Sequence, residues 1–201
     1  MNISYYYSLM SPWAYLGSKR FYKLKEKYNF NIIHYPLDII NLFSLSGGEP
    51  LSKRAEQRKV YRMMELKRWK EVLNIPINFN PKYFPPSDLI KASCMILALD
   101  NEEDQNKLAY KLLEFVWKYE KDIGNDDNLK EACVQCSLDS DKLIISQGSF
   151  LEKYQSHAQL AAQRNVFGSP SYVLDDGEVF WGQDRLDLLE RALQKNKKKI
   201  E

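Results

Sequence analysis

Four short stretches of this chain carry side chains in arrangements suited to binding or catalysis. The first is Ser8-Leu9-Met10-Ser11-Pro12-Trp13-Ala14-Tyr15-Leu16-Gly17. Residues 2–7 before it are aromatic and β-prone, and Tyr15, Leu16, Phe21, Leu24 and Tyr28 recur after it at helical spacing. Ser11 then falls at a helix N-cap and Pro12 at the first helical position, where an N–H has no intrahelical partner anyway. A hydroxyl there sits at the positive end of a helix beside free backbone N–H groups, a place that favours anions. Ser-Pro is also simply a good helix start, and the local residues leave both readings open.

The second stretch is Val166-Phe167-Gly168-Ser169-Pro170-Ser171-Tyr172-Val173. A proline just before a strand can be cis, leaving the backbone groups of the residue before it free to pair with a peptide-shaped ligand. An ordinary trans proline in a turn fits as well. The third is Phe180-Trp181-Gly182-Gln183-Asp184-Arg185-Leu186. Asp184 could cap the last helix, or its carboxylate could join Gln183 in holding an ammonium group. The fourth is the basic run Lys53-Arg54-Ala55-Glu56-Gln57-Arg58-Lys59-Val60-Tyr61-Arg62, which is either a solvated helix face or a patch that attracts carboxylates. His34 and His157 stand isolated and receive no catalytic role.

Periodicity gives the elements that carry these residues. Residues 2–8 read as a strand, 12–28 as a helix and 31–37 as a second strand, a βαβ unit with parallel strands. Residues 42–50, rich in Ser, Gly and Pro, read as a loop. From 52 to about 168 no strand pattern appears. Helices are expected over 53–73, 87–99, from a cap at Asp100-Asn101 onward, and over 128–136, 142–147 and 150–165. Ser171-Tyr172-Val173-Leu174, an Asp175-Asp176-Gly177 turn and Glu178-Val179-Phe180-Trp181 form a hairpin. A closing helix spans 184–194, and the lysine-rich tail 195–201 is expected to fray.

The order β-α-β, helical block, β-β-α is an α/β, thioredoxin-like arrangement. It implies a discontinuous sheet domain, 1–45 plus 166–201, and a helical insertion, 46–165. In that fold the turn after the first strand carries the redox chemistry. Here it reads Ser11-Pro12-Trp13-Ala14, with no cysteine, so dithiol–disulfide exchange is excluded at this position. Cys133-Val134-Gln135-Cys136 does have the redox spacing, but it lies inside the helical block and not after a strand. Without a second Cys pair or a nearby His, zinc is not expected either. Cys133, Cys136 and Cys94 read as ordinary, partly buried thiols.

Composition bounds the remaining classes. A net charge of +2 over 201 residues indicates neither a nucleic-acid binder nor an acidic tail. Four Trp, thirteen Tyr and nine Phe suit either a pocket for flat organic molecules or an aromatic core. No stretch has the polarity of a membrane span, no secretory leader pattern opens the chain, and three cysteines are expected reduced, so a cytoplasmic location is expected.

Taken together and in order, Ser-Pro-Trp-Ala-Tyr-Leu, Leu66-Lys67-Arg68-Trp69 leading to Asn74-Ile75-Pro76, Val-Phe-Gly-Ser-Pro-Ser-Tyr-Val and Phe-Trp-Gly-Gln-Asp-Arg-Leu carry a resemblance. The chain resembles the 2-hydroxychromene-2-carboxylate isomerases, which with kappa-class glutathione transferases belong to the DsbA-like branch of thioredoxin folds. The likeness covers essentially the whole chain.

The resemblance implies a glutathione-dependent isomerase. The glutathione thiolate would add reversibly to a small aromatic or unsaturated carboxylate. By the same likeness Ser11 would face the glutathione sulfur, and Ser169, before Pro170, would pair its backbone with the cysteinyl part. Gln183 and Asp184 would hold the γ-glutamyl end, and Lys59 or Arg58, with Lys59 preferred, a carboxylate. A homodimer is a further expectation of the likeness. The chain departs from the family pattern at Trp13-Ala14, Ser169 and Met64, which bear on the second substrate. The alternatives are a kappa-like transferase and a non-redox thioredoxin-fold protein that binds peptides.

Overall fold

The computed structural model describes residues 1–197, and the side chains of all of these but 145–147 and 197. In chain order the elements are β1 (Asn2–Tyr7), α1 (Pro12–Tyr28), β2 (Asn31–Pro36), α2 (Ile39–Ser46), α3 (Glu56–Leu73), α4 (Ile90–Leu97) and α5 (Glu102–Trp117). Then come α6 (Asp126–Gln135), α7 (Ser140–Ser146), α8 (Leu151–Gln163), β3 (Ser171–Leu174), β4 (Val179–Trp181) and α9 (Leu186–Lys197).

The strands form one sheet in the order β2-β1-β3-β4. β1 runs parallel to β2 and antiparallel to β3, and β3 and β4 form the expected hairpin. Gly177 turns that hairpin with φ +90°, which suits a residue without Cβ.

β1 is the centre of the molecule, and alternation decides what each of its side chains meets. Ile3, Tyr5 and Tyr7 face a large core with Phe21 of α1, Leu112 and Phe115 of α5 and Leu189 of α9. Tyr5 stacks on Tyr7 at 4.3 Å and lies parallel to Tyr172 of β3 at 5.4 Å. Tyr6 faces the other way, into a smaller core with Leu42 of α2 and Ala158 and Ala161 of α8. The aromatic richness of the sequence is thus largely core, with three hydroxyl-bearing rings fully buried on β1 alone.

Three expectations need correction. Residues 42–46, read as loop, belong to α2. Asp38 Oδ1 accepts from the N–H groups of Ile40 and Asn41 at 3.0 and 3.1 Å, and Gly47, at φ +73°, ends the helix. The Gly and Pro that suggested a loop lie beyond that end, whereas Ser44 and Ser46 are in the helix, their hydroxyls donating to the carbonyls of Asn41 and Leu42 at 2.7 Å each. The long helix after it begins at Glu56, since residues 51–53 form a separate 3₁₀ turn. Residues 195–197 continue α9 and are not a frayed tail; the remainder of the tail lies outside the described residues. Among the described residues no helix is long and apolar enough to cross a membrane.

Candidate active site at the start of α1

α1 begins as its sequence dictates. Ser11 has extended backbone angles (φ −90°, ψ 117°), its Oγ accepts from the Ala14 N–H at 3.2 Å, and Pro12 occupies the first turn. With no N–H on Pro12 and that of Ala14 engaged, the first turn presents the Trp13 N–H. The same Ser11 hydroxyl donates to the Ser169 carbonyl at 3.2 Å, and the Ser8 N–H donates to Ser169 Oγ at 2.8 Å. Residues 158 positions apart in sequence are therefore joined at the end of β1. Ser11 is 8% exposed, so its hydroxyl works in a largely desolvated place.

The loop before β3 is held from several sides. The Ser169–Pro170 peptide is cis, and the Gly182 N–H donates to the Pro170 carbonyl at 2.8 Å. Ser171 Oγ donates to the Gly168 carbonyl at 2.8 Å. A Cβ on Gly168 would come within 2.2 Å of Trp181 Nε1, so the indole packs directly against this loop.

Gln183 lies next to this site but beneath α1. It is 1% exposed, and a Cβ on Gly17 would approach its own Cβ to 2.8 Å. Arg20 Nη1 donates to its Oε1 at 3.1 Å and to its carbonyl at 3.2 Å, while Nη2 reaches Asp187 at 2.7 Å. Gln183 Nε2 is buried with no partner, as is the hydroxyl of Ser8.

Asp184 does not cap the closing helix, against the capping reading. The 3₁₀ turn Gln183–Arg185 opens at Gly182, φ +102°, without a side-chain cap. The Asp184 carboxylate, 43% exposed, instead accepts from Arg185 Nη1 at 2.6 Å.

The two basic candidates sit apart from this group. Both are on α3, where Lys59 pairs with Glu56 at 3.6 Å and Arg58 with Glu49 at 4.0 Å. Neither hydrogen-bonds to Ser11 or Ser169. The structure thus brings together Ser11, Ser169 and Pro170, sets Gln183 and Asp184 beside them through the Gly182–Pro170 bond, and leaves Lys59 and Arg58 on a neighbouring helix. It adds Ser8 and Arg20, which the sequence did not single out. Ser8 lies in the quoted first stretch, but nothing in its type separates it from a strand end. Arg20 is an ordinary basic residue on a helix until Gln183 folds beneath it.

The cysteines are no rival to this site. All three are free. Burial pushes the Cys133 thiol up to about 12 and that of Cys94 to about 11, and raises Cys136 as well. A thiol held protonated is a poor nucleophile. His34 is partnered at both ring nitrogens and His157 at one, its Nε2 being buried without a partner. Tyr7 and Asn106 flank the His34 ring at 2.9 Å each, and His157 Nδ1 lies 2.9 Å from the Pro36 carbonyl. Among the described residues no group of three or more His, Cys, Asp and Glu is arranged to hold a metal ion.

A four-stranded sheet with this topology, with a hydroxyl at the first helix start facing the residue before a cis proline, defines a class. The chain belongs to the DsbA-like thioredoxin domain family, which residues 2–194 match. Within that family it is similar over nearly its whole length to the 2-hydroxychromene-2-carboxylate isomerase of Sphingobium xenophagum, at 28% identity over 96% of this chain and 97% of that protein. Glutathione S-transferase kappa 1 of Homo sapiens is 25% identical, over 96% of this chain and 90% of its own. A solved structure of a 2-hydroxychromene-2-carboxylate isomerase superposes with a TM-score of 0.84 at 22% identity, covering 99% of this chain and 97% of that one.

Proposed function

We propose that the protein is a glutathione-dependent isomerase of the 2-hydroxychromene-2-carboxylate isomerase type. The observation that carries the reading is the Ser11 hydroxyl, held at a helix N-terminus between the Ala14 N–H and the Ser169 carbonyl, where no thiol of the chain is present. The slot has an anion-favouring end and a strand-like edge, and the sulfur comes from the ligand. The names borne by the full-length relatives, an isomerase and a glutathione transferase, point the same way.

On this reading glutathione lies extended against Ser169. Its cysteinyl N–H takes the Ser169 carbonyl that Ser11 now occupies, and the Ser11 hydroxyl turns to the sulfur. Gln183 and Asp184 belong to the γ-glutamyl end, where the Asp184 carboxylate would exchange its exposed Arg185 partner for the ligand's ammonium. Lys59, or Arg58, would exchange a glutamate for a ligand carboxylate. Ser11 acts as a hydrogen-bond donor and not a nucleophile, because no base adjoins it.

The energetics are adequate. A cysteine-like thiol has a pKa of about 8.5, and lowering it by about two units takes roughly 2.7 kcal/mol. A helix N-terminus supplies about 0.3–1 kcal/mol, and about 2 in partly buried geometry. A hydroxyl donating to an anion adds about 1.5–3 kcal/mol. The thiolate adds to an unsaturated carbon of a small aromatic carboxylate, the adduct rotates about the new single bond, and elimination returns the thiolate and the isomer. Retention of the adduct would make the same first step a transferase.

The test is a glutathione soak with turnover measured in parallel. The sulfur should lie within hydrogen-bond distance of Ser11 Oγ, and Ser11→Ala should lose about 10- to 100-fold in glutathione-dependent turnover. Undiminished turnover in Ser11→Ala would remove the mechanism, and a calorimetric trace without glutathione binding would favour the peptide-binding alternative.

A further inference from the structure

The inward face of α3 changes character along its length. Leu73, Trp69 and Leu66 share one helical stripe, with Leu66 fully buried and the other two packed on the main core. One and two turns towards the N-terminus the same stripe reads Arg62 and Lys59, both partly buried. Arg62 therefore stands where the apolar stripe of the helix turns basic.

Arg62 has no hydrogen bond, ion pair or ring contact among the described residues. Among the acids of α3 and of the segment before it, Glu49 pairs with Arg58, Glu56 with Lys59 and Glu65 with Arg68. Arg54 makes no close ion pair, although the Glu49 carboxylate lies near enough to favour its charge; its Nε donates to the Glu49 carbonyl at 2.8 Å and its guanidinium lies over Phe43 at 5.7 Å. Arg54 and Arg62 are close enough that Arg54 disfavours the charge on Arg62, and burial pushes both below the usual guanidinium value. Removing a cation from water without a counter-charge is unfavourable, so Arg62, half-buried without a partner and with a second guanidinium nearby, calls for an anion.

Their location adds to this. Towards the C-terminus of α3, Trp69 meets the Arg20 guanidinium of α1 at 5.8 Å. Towards its N-terminus, Phe43 under Arg54 joins the smaller core that Met10 also joins, one residue before Ser11. The stripe thus reaches α1 at its apolar end, and Arg54 reaches the smaller core beyond the other end.

We infer that Arg62, assisted by Arg54, forms a carboxylate-binding subsite in which Arg62, and not Lys59 or Arg58, holds the carboxylate. The planar fork of Arg62 would take a carboxylate bidentately and resolve its missing partner. The inference deepens the proposed function, since the carboxylate can come from the glycyl end of glutathione or from an aromatic second substrate.

Calorimetry of the full chain with glutathione, glutathione glycyl monoethyl ester and trans-cinnamate separates these sources, with thermal unfolding of the unliganded protein recorded alongside. Arg62→Met should weaken at least one free carboxylate by about tenfold or more and leave the ester unaffected, with Arg62→Lys intermediate. Equal binding of glutathione and its ester by Arg62→Met assigns the glycyl carboxylate. A loss confined to cinnamate assigns the second substrate. Arg62→Met should also melt higher than the wild type, because an uncompensated charge has been removed, whereas a structural arginine would give a lower midpoint. Unchanged affinity for both carboxylates, or a lower midpoint, overturns the inference. A wild type that binds cinnamate through Arg62 but not glutathione would defeat the glutathione reading and leave this subsite standing.

Discussion

Ser11 Oγ has one proton to donate, and in the unliganded protein that proton belongs to the Ser169 carbonyl. A ligand that offers Ser169 an N–H of its own releases the Ser11 hydroxyl at no net loss of hydrogen bonds. Ser11→Thr should therefore keep part of the activity, while Ser11→Ala should not, in assays of glutathione-dependent turnover. His34 illustrates the opposite kind of polar residue. It is buried, and burial lowers its pKa to about 4. Neutral imidazole suits its place between Tyr7 and Asn106, so the unfolded chain binds the proton more readily. Its contribution to stability is whole above about pH 6.5 and is lost as pH falls towards 4, by about 3 kcal/mol. Denaturant midpoints measured across that window should fall more steeply for the wild type than for His34→Gln. Cys133→Ala, by contrast, should leave glutathione-dependent turnover intact, since burial holds that thiol protonated.

Turns decide whether the site's elements meet. Gly182 combines φ +102° with a Cβ position 2.4 Å from Asp184 Oδ1. Gly182→Ala should cost about 1–3 kcal/mol in a denaturant titration, because its left-handed backbone resists a Cβ, while the Asp184 carboxylate can swing aside. The sequence made some of these elements plain. Ser11-Pro12 could be read as a helix start because a cap residue and an N1 proline satisfy the same local rule, and Asp175-Asp176-Gly177 announced its hairpin in the same way. The helix 39–46 was hidden, since it is short, its cap Asp38 lies close behind a strand, and Gly47-Gly48 dominates the local composition. The hydrogen bonds from Ser8 and Ser11 to Ser169 could not be read, because they join residues about 160 positions apart and depend on which strand pairs with β1. Arg62 was visible as one of several basic residues. Only the stripe it shares with Leu66, Trp69 and Leu73 distinguishes it from its solvated neighbours.

Across the whole molecule, one hydrophobic core joins strand residues such as Ile3 and Tyr172 to helical residues such as Leu66, Leu112 and Leu129. Because that core is shared, we expect the proposed sheet domain, 1–45 plus 166–201, and insertion, 46–165, to unfold in a single event. Tryptophan fluorescence, reporting from Trp13 and Trp181 in one part and Trp69 and Trp117 in the other, should change together with far-ultraviolet circular dichroism in urea. Two separated transitions would show that the helical block folds on its own. What the assembled molecule is proposed to do is hold a ligand's sulfur as a thiolate at the start of α1, and the ionisation of bound glutathione reports that directly. Ultraviolet thiolate absorbance recorded against pH should give the bound thiol a pKa about two units below the ~8.5 of a free thiol, and Ser11→Ala should return about one to two of those units. A bound thiol that titrates as it does in water, or one that Ser11→Ala leaves unmoved, would contradict the account.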